Sequence, residues 1–151
     1  FVQLSYKVDL ANVERGLAEM PDHAGLHEEA FKYCLRRNDP SGALAHAQRT
    51  VELSNGAVDA LTRVGQAYIA AGEYARAIEA LQKALAQRPG AGKAQFQLGR
   101  AFEKSGRGSE ALELYRQVLE RDPRNFLANA AVGERLFEKG QRAEAAKHFE
   151  A

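Results

Sequence analysis

Four histidines and a single cysteine are the residues best suited to chemistry. His23 and His27 stand four apart, followed by Glu28 and Glu29, a spacing that can place two imidazoles on one helical face. A metal centre also needs a third ligand and hydrogen-bonded neighbours that fix the first two. No HExxH pattern supplies them, and His23 falls in a turn before a helix begins, so surface histidines are the simpler reading. His46 and His148 have no ligand partner nearby in sequence. Cys34, alone, forms no internal disulfide and reads as a small buried apolar residue on a helix. The run Pro89-Gly90-Ala91-Gly92-Lys93-Ala94 approaches a phosphate loop. Gln87, however, takes the first glycine position, and Ala94 replaces the Ser or Thr that would hold magnesium. Gly106-Arg107-Gly108-Ser109 reads as a turn within a hairpin. No Ser-His-Asp or Cys-His spacing is present. The expectation is a chain that is not an enzyme and needs no cofactor or metal.

The elements that position these residues are set by a period. Gly65, Gly99 and Gly133 are 34 residues apart, as are Gly72, Gly106 and Gly140, and Ala77, Ala111 and Ala145. Pro89 and Pro123 keep the same step, and Pro21 lies two steps before Pro89. One unit, residues 61–89, reads as an apolar-periodic run, a glycine turn, a second run and a proline stop, which is a helical hairpin. Several marks sharing one period predict a repeat array.

The units resemble the tetratricopeptide repeat, whose pattern is a large residue, two others, Leu-Gly, two others, Tyr, then Ala-x3-Phe and Pro. Here it appears as Leu61-x2-Val64-Gly65-x2-Tyr68, Ala77-x3-Leu81 and Pro89. The next unit gives Gln95-x2-Leu98-Gly99-x2-Phe102, Ala111-x3-Tyr115 and Pro123. The last gives Asn129-x2-Val132-Gly133-x2-Leu136 and Ala145-x3-Phe149. The signature Trp is missing, because the chain has none. The resemblance spans residues 9–151 and implies an all-α fold: a right-handed superhelical α-solenoid of antiparallel helix hairpins with three and a half to four repeats. It says little about function, because the repeat is a platform rather than a chemistry.

Five segments follow. Residues 1–23 form an N-terminal segment. Val2, Leu4, Tyr6, Val8 and Leu10 alternate with polar residues in the period of a half-buried strand, and a helix through Phe1, Leu4 and Val8 is the alternative. Leu10, Val13, Leu17 and Met20 then predict a helix capped by Asp9 and stopped by Pro21, the second helix of a partial preceding repeat. Residues 24–57 are a degenerate repeat, with Asp39-Pro40 opening its second helix. Phe31 stands where the later units have glycine, so this repeat is expected to pack with a shifted crossing against the helix before it. Residues 58–91 and 92–125 are regular repeats, and residues 126–151 are a C-terminal, truncated one. Cut inside its second helix, that unit would expose an apolar end of the kind such arrays normally cover with a polar capping helix.

The resemblance further implies a concave groove lined by the first helices, where partner peptides bind. Its positions map onto Glu28, Lys32 and Arg36, then Thr62, Arg63, Gln66 and Ile69. They continue through Lys93, Phe96, Arg100 and Glu103 to Leu127, Ala130, Glu134 and Phe137. Neither register reproduces the chaperone carboxylate clamp of that family, so chaperone tails are not the expected ligand. Lys32, Arg36, Arg63, Lys93 and Arg100 outnumber Glu28, Glu103 and Glu134. That imbalance favours an acidic partner segment, with Ile69, Phe96 and Phe137 as apolar anchors.

The formal net charge of +1 argues against nucleic acid. The absence of an 18-residue apolar run argues against a membrane span. The chain starts at Phe1 with no leader pattern, which suggests a piece of a longer protein and fits a cytoplasmic or a periplasmic location equally. The Ala-, Gly- and Arg-rich composition is associated with bacterial GC-rich genomes. The function expected is a protein–protein interaction module or scaffold. The alternatives are a homo-oligomer assembled through exposed terminal helices, and an accessory domain of a larger enzyme or secretion machine.

Overall fold

The computed structural model describes residues 2–151, with side-chain surroundings from Leu10 onward. Nine helices and no strand occur among the described residues. They are α1 (Val2–Glu19), α2 (Ala24–Arg36), α3 (Pro40–Leu53), α4 (Val58–Ala70), α5 (Tyr74–Gln87), α6 (Gly92–Lys104), α7 (Gly108–Arg121), α8 (Phe126–Glu138) and α9 (Arg142–Glu150). The first helices start at residues 24, 58, 92 and 126, and the second helices at 40, 74, 108 and 142, each one 34-residue step apart. Successive hairpins stack into a right-handed α-solenoid, each helix meeting its sequence neighbours and α4 also touching α6. A hairpin of this size cannot bury both faces alone, so stacking supplies the core.

The strand reading of the N-terminus is overturned. Residues 2–10 continue directly into α1, so Asp9 lies inside a helix instead of capping one. Alternation and the helical spacing of Phe1, Leu4 and Val8 coexist in so short a run, and periodicity alone does not separate them.

The hairpin turns explain the second set of periodic glycines. Gly72, Gly106 and Gly140 adopt φ of +76°, +83° and +78°, a region that costs an L-residue about 1–2 kcal/mol. The left-handed residue lets the next amide reach back to a free carbonyl at the helix end. Glu73 N–H donates to Tyr68 O (2.9 Å), Arg107 N–H to Phe102 O (2.8 Å) and Gln141 N–H to Leu136 O (2.9 Å). In the first hairpin Asn38 takes this place at φ +56°, and Asp39 N–H donates to Cys34 O (2.8 Å). Asp39 then caps α3, its Oδ1 accepting from Gly42 N–H at 2.9 Å, with Pro40 at the first helical position.

The first set of glycines marks where paired helices approach most closely. A Cβ on Gly65 would lie 2.5 Å from Leu81 Cγ, one on Gly99 2.5 Å from Tyr115 Cε1, and one on Gly133 2.6 Å from Phe149 Cε1. Each first helix therefore offers a gap and each second helix fills it. The first hairpin reverses the sizes. Phe31 stands at the glycine position, and Ala47, one step before Leu81, stands at the filling position. Both are buried in one cluster with Ala43, Val64, Ala67 and Ala80. The small partner supplies the room that the phenylalanine needs. A similar exchange seats α1: Gly16 faces Leu26, 2.8 Å from where a Cβ would stand, and the equivalent later pairs are Thr50/Ala60, Ala84/Ala94 and Val118/Ala128.

Candidate functional site: the face of the first helices

The first helices α2, α4 and α6 line a hollow of about 440 Å³. Six of the residues expected in the groove meet there, Glu28, Lys32, Thr62, Arg63, Gln66 and Lys93, together with Asp59. Their periodic placement follows from the hairpins, since the same turn of each first helix faces the same side.

The charges in this hollow are largely cancelled from within. Arg63 Nη2 lies 2.9 Å from Glu28 Oε1, and Lys32 Nζ lies 3.5 Å from the same carboxylate and 2.9 Å from Glu29. Partial burial opposes the charge on Glu28, but Arg63 and then Lys32 outweigh it and hold the carboxyl below its ordinary value. Asp59 pairs with Arg88 at 3.2 Å. Lys93 is exposed and has no ion-pair partner among the described residues. The basic excess counted along the sequence therefore reduces here to Lys93, because Glu28 is shared by two of the cations.

The remaining candidates on α6 and α8 include apolar side chains. Phe96 packs its ring 5.4 Å from that of Tyr115. Leu127 and Phe137 are more than half exposed, and the Arg142 guanidinium stands over the Phe137 ring at 5.7 Å. Tyr115 O–H donates to Glu103 at 3.2 Å. Burial, reinforced by that carboxylate, pushes the phenol well above its ordinary value, so it remains a donor at every working pH. Arg100 donates to Gln97 at 3.4 Å. Arg36 and Glu134 are exposed.

Ile69 needs correction. Expected as an apolar anchor in the groove, it is 8% exposed and belongs to the core with Ala77, Leu81 and Leu98. Thr62 is also buried, donating its hydroxyl to Val58 O at 2.7 Å.

The histidines have partners that spacing alone did not show. His27 Nε2–H donates to Pro21 O (2.8 Å), which leaves Nδ1 of the neutral ring as an acceptor. His46 Nδ1–H fills it at 2.9 Å. Three repeat steps later, Asn129 Nδ2–H donates to Pro123 O (2.9 Å) and Asn129 Oδ1 accepts from His148 Nδ1–H (2.9 Å). These relays tie α3 and α9, through α2 and α8, to the turn before each of those hairpins. His23 caps α2, its Nδ1 accepting from Leu26 N–H at 3.3 Å. No group of three His, Cys, Asp or Glu side chains converges among the described residues, and no helix among them is long and apolar enough to cross a membrane.

Stacked antiparallel hairpins at a 34-residue step, closed by left-handed turns and packed through glycine gaps, define a helical-repeat solenoid. The tetratricopeptide repeat model matches residues 28–92, 62–126 and 96–151, its start advancing by the same step. The chain belongs to the tetratricopeptide repeat family. Among solved structures it is similar to a crystal structure of MamA, with 23% identity, 99% of this chain and 87% of that one covered, and a TM-score of 0.75. A tetratricopeptide repeat protein from Parabacteroides merdae matches at 17% identity over 98% of this chain and 58% of its own, with a TM-score of 0.84. PilF from Pseudomonas aeruginosa matches at 13% identity over 98% and 68%, with a TM-score of 0.79. At these identities the likeness describes the fold. No curated protein matches the sequence.

Proposed function

We propose that the chain is a non-catalytic module that binds a segment of a partner protein along the face of α2, α4, α6 and α8. The observation that carries this reading is the hollow shared by Lys32, Arg63, Gln66 and Lys93, from three successive first helices, with Leu127 and Phe137 exposed on the fourth. A partner segment lying there meets a polar end and an apolar end. Lys93 favours a carboxylate, and Phe137 and Leu127 favour apolar side chains near the segment's other end. The internal pairs of Lys32 and Arg63 with Glu28 limit how much the two cations add, since a partner's carboxylate must compete with Glu28 for them. We read the chain as residues 1–23 completing a partial repeat, followed by repeats at 24–57, 58–91, 92–125 and 126–151.

The test is capture of partners from a source lysate by the wild-type chain and by Lys93→Glu/Phe137→Ser, followed by calorimetry on any protein retained. Both side chains are exposed, so circular dichroism should be unchanged. A partner held by the wild type and lost by the variant supports the groove. A partner held equally by both removes it.

A further inference from the structure

The hollow between α2, α4 and α6 already holds a carboxylate, and it is the chain's own. Two cations from neighbouring hairpins converge on one oxygen of Glu28: Arg63 Nη2 stands 2.9 Å and Lys32 Nζ 3.5 Å from Oε1. Arg63 makes no other ion pair among the described residues, so a single oxygen engages a guanidinium that carries five N–H donors. The Arg63 side chain is 21% exposed, less than the 37% of Glu28. The cation is therefore the more fixed member of the pair, and the carboxylate the one freer to move.

Two further donors line the same space without a partner. The Gln66 amide, one turn after Arg63 on α4, is half-buried and makes no hydrogen bond among the described residues. Lys93 enters from α6 with no ion pair. Asp59, the other carboxylate of the lining, is held by Arg88. A guanidinium that can take two oxygens side by side, flanked by an amide and an ammonium, suits a carboxylate ligand.

We propose that Glu28 is an internal competitor for this site: it holds Arg63 and Lys32 in the unbound chain and yields them to an Asp or Glu side chain of the bound segment. The exchange rests on the groove reading and specifies how that groove is regulated. An isolated carboxylate merely replaces Glu28. Net affinity then comes from a second acidic group that reaches Lys93, so Glu28 selects acidic segments over single acidic residues.

Nuclear magnetic resonance titration with acetylated, amidated octaglutamate tests this, because its blocked ends leave only side-chain carboxylates. Glu28→Gln keeps the shape of the side chain and removes its charge, and is expected to bind about two- to fivefold more tightly than wild type. Arg63→Gln is expected to lose most of the binding, and the double variant to regain little, since Glu28 then withholds only Lys32. A second readout follows Glu28 itself. Despite partial burial, Arg63 and Lys32 hold its carboxyl below the ordinary value, and saturating peptide should move it back up as both cations leave. Equal affinity of wild type and Glu28→Gln overturns the proposal, as does binding by neither. So does a bound peptide with the Glu28 titration unchanged, or binding only of a peptide whose C-terminal carboxylate is free. A lysate partner that depends on Lys93 and Phe137 but ignores Glu28→Gln would remove the competitor and leave the groove standing.

Discussion

Gly99 and Tyr115 are in contact so close that a methyl group on the glycine would lie 2.5 Å from the tyrosine Cε1 and 3.0 Å from Cδ1 and Cζ. The ring cannot withdraw easily, because it is buried, its hydroxyl is held by Glu103, and Phe96 packs against it. Gly99→Ala gains about 1 kcal/mol of helix propensity but incurs an overpacking cost of about 1–3 kcal/mol. A net loss of stability is expected as a lower urea midpoint. Gly92→Ala is the control: nothing lies within 4 Å of its added methyl, and its φ lies outside the left-handed region. Its midpoint should hold or rise.

Phe31 and Ala47 make the same contact with the sizes reversed, and a double-mutant cycle reads the exchange directly. Phe31→Gly opens a cavity, for which Phe→Ala truncations of about 3–5 kcal/mol set the scale. Ala47→Leu alone overpacks against Phe31. Combined, the two substitutions restore the Gly–Leu pairing of the second hairpin. The double variant should be more stable than the sum of the singles predicts, by roughly 0.5–3 kcal/mol. Additive losses would show that the two residues do not share one space.

The left-handed turns give a paired prediction. Gly106→Ala, at φ +83° with open space around it, should cost about 1–2 kcal/mol from backbone conformation alone. Asn38→Gly, at φ +56°, should be neutral or slightly stabilising, because asparagine tolerates this region less well than glycine. Thermal melts of both variants check the contrast.

His46 makes stability depend on pH. Burial, and then the neighbouring His27, hold its pKa below the ordinary 6.5. The unfolded chain therefore takes up this proton at a higher pH than the folded one does. The stability from the neutral ring is complete above about pH 6.5 and falls as the pH drops toward the lower, folded value. His27→Asn reproduces the Asn129–His148 relay and removes the second imidazole. It should retain stability at neutral pH and weaken the loss on acidification, with a residue remaining because burial is the larger cause. Urea midpoints between pH 5 and 8 would show it, within the range where histidine titrates.

Much of this fold is local information. A helix needs apolar residues at a fixed spacing, and a left-handed turn needs glycine or asparagine at one place. Gly72, Gly106 and Pro89 state the repeat length without reference to anything distant. The N-terminus was ambiguous for the same reason: over ten residues, alternation and helical spacing overlap, and the continuation of the helix into Glu19 resolved it.

The chemistry of the surface was not local. Counting charges on the first helices gave a basic groove, yet Glu28 reaches Arg63 across two hairpins and cancels it. Ile69 fell on a groove position by register, but the packing of neighbouring helices buries it. His27 and His46 are 19 residues apart and meet only because α2 and α3 lie antiparallel. By itself the sequence determined the helices, their turns and their 34-residue step, since each depends on spacing within one or two turns of chain. Which charges remain unpaired, which apolar side chains stay exposed and where a hollow opens were decided only by tertiary structure. Those properties depend on distances between hairpins, set by whether a Gly meets a Leu or a Phe meets an Ala.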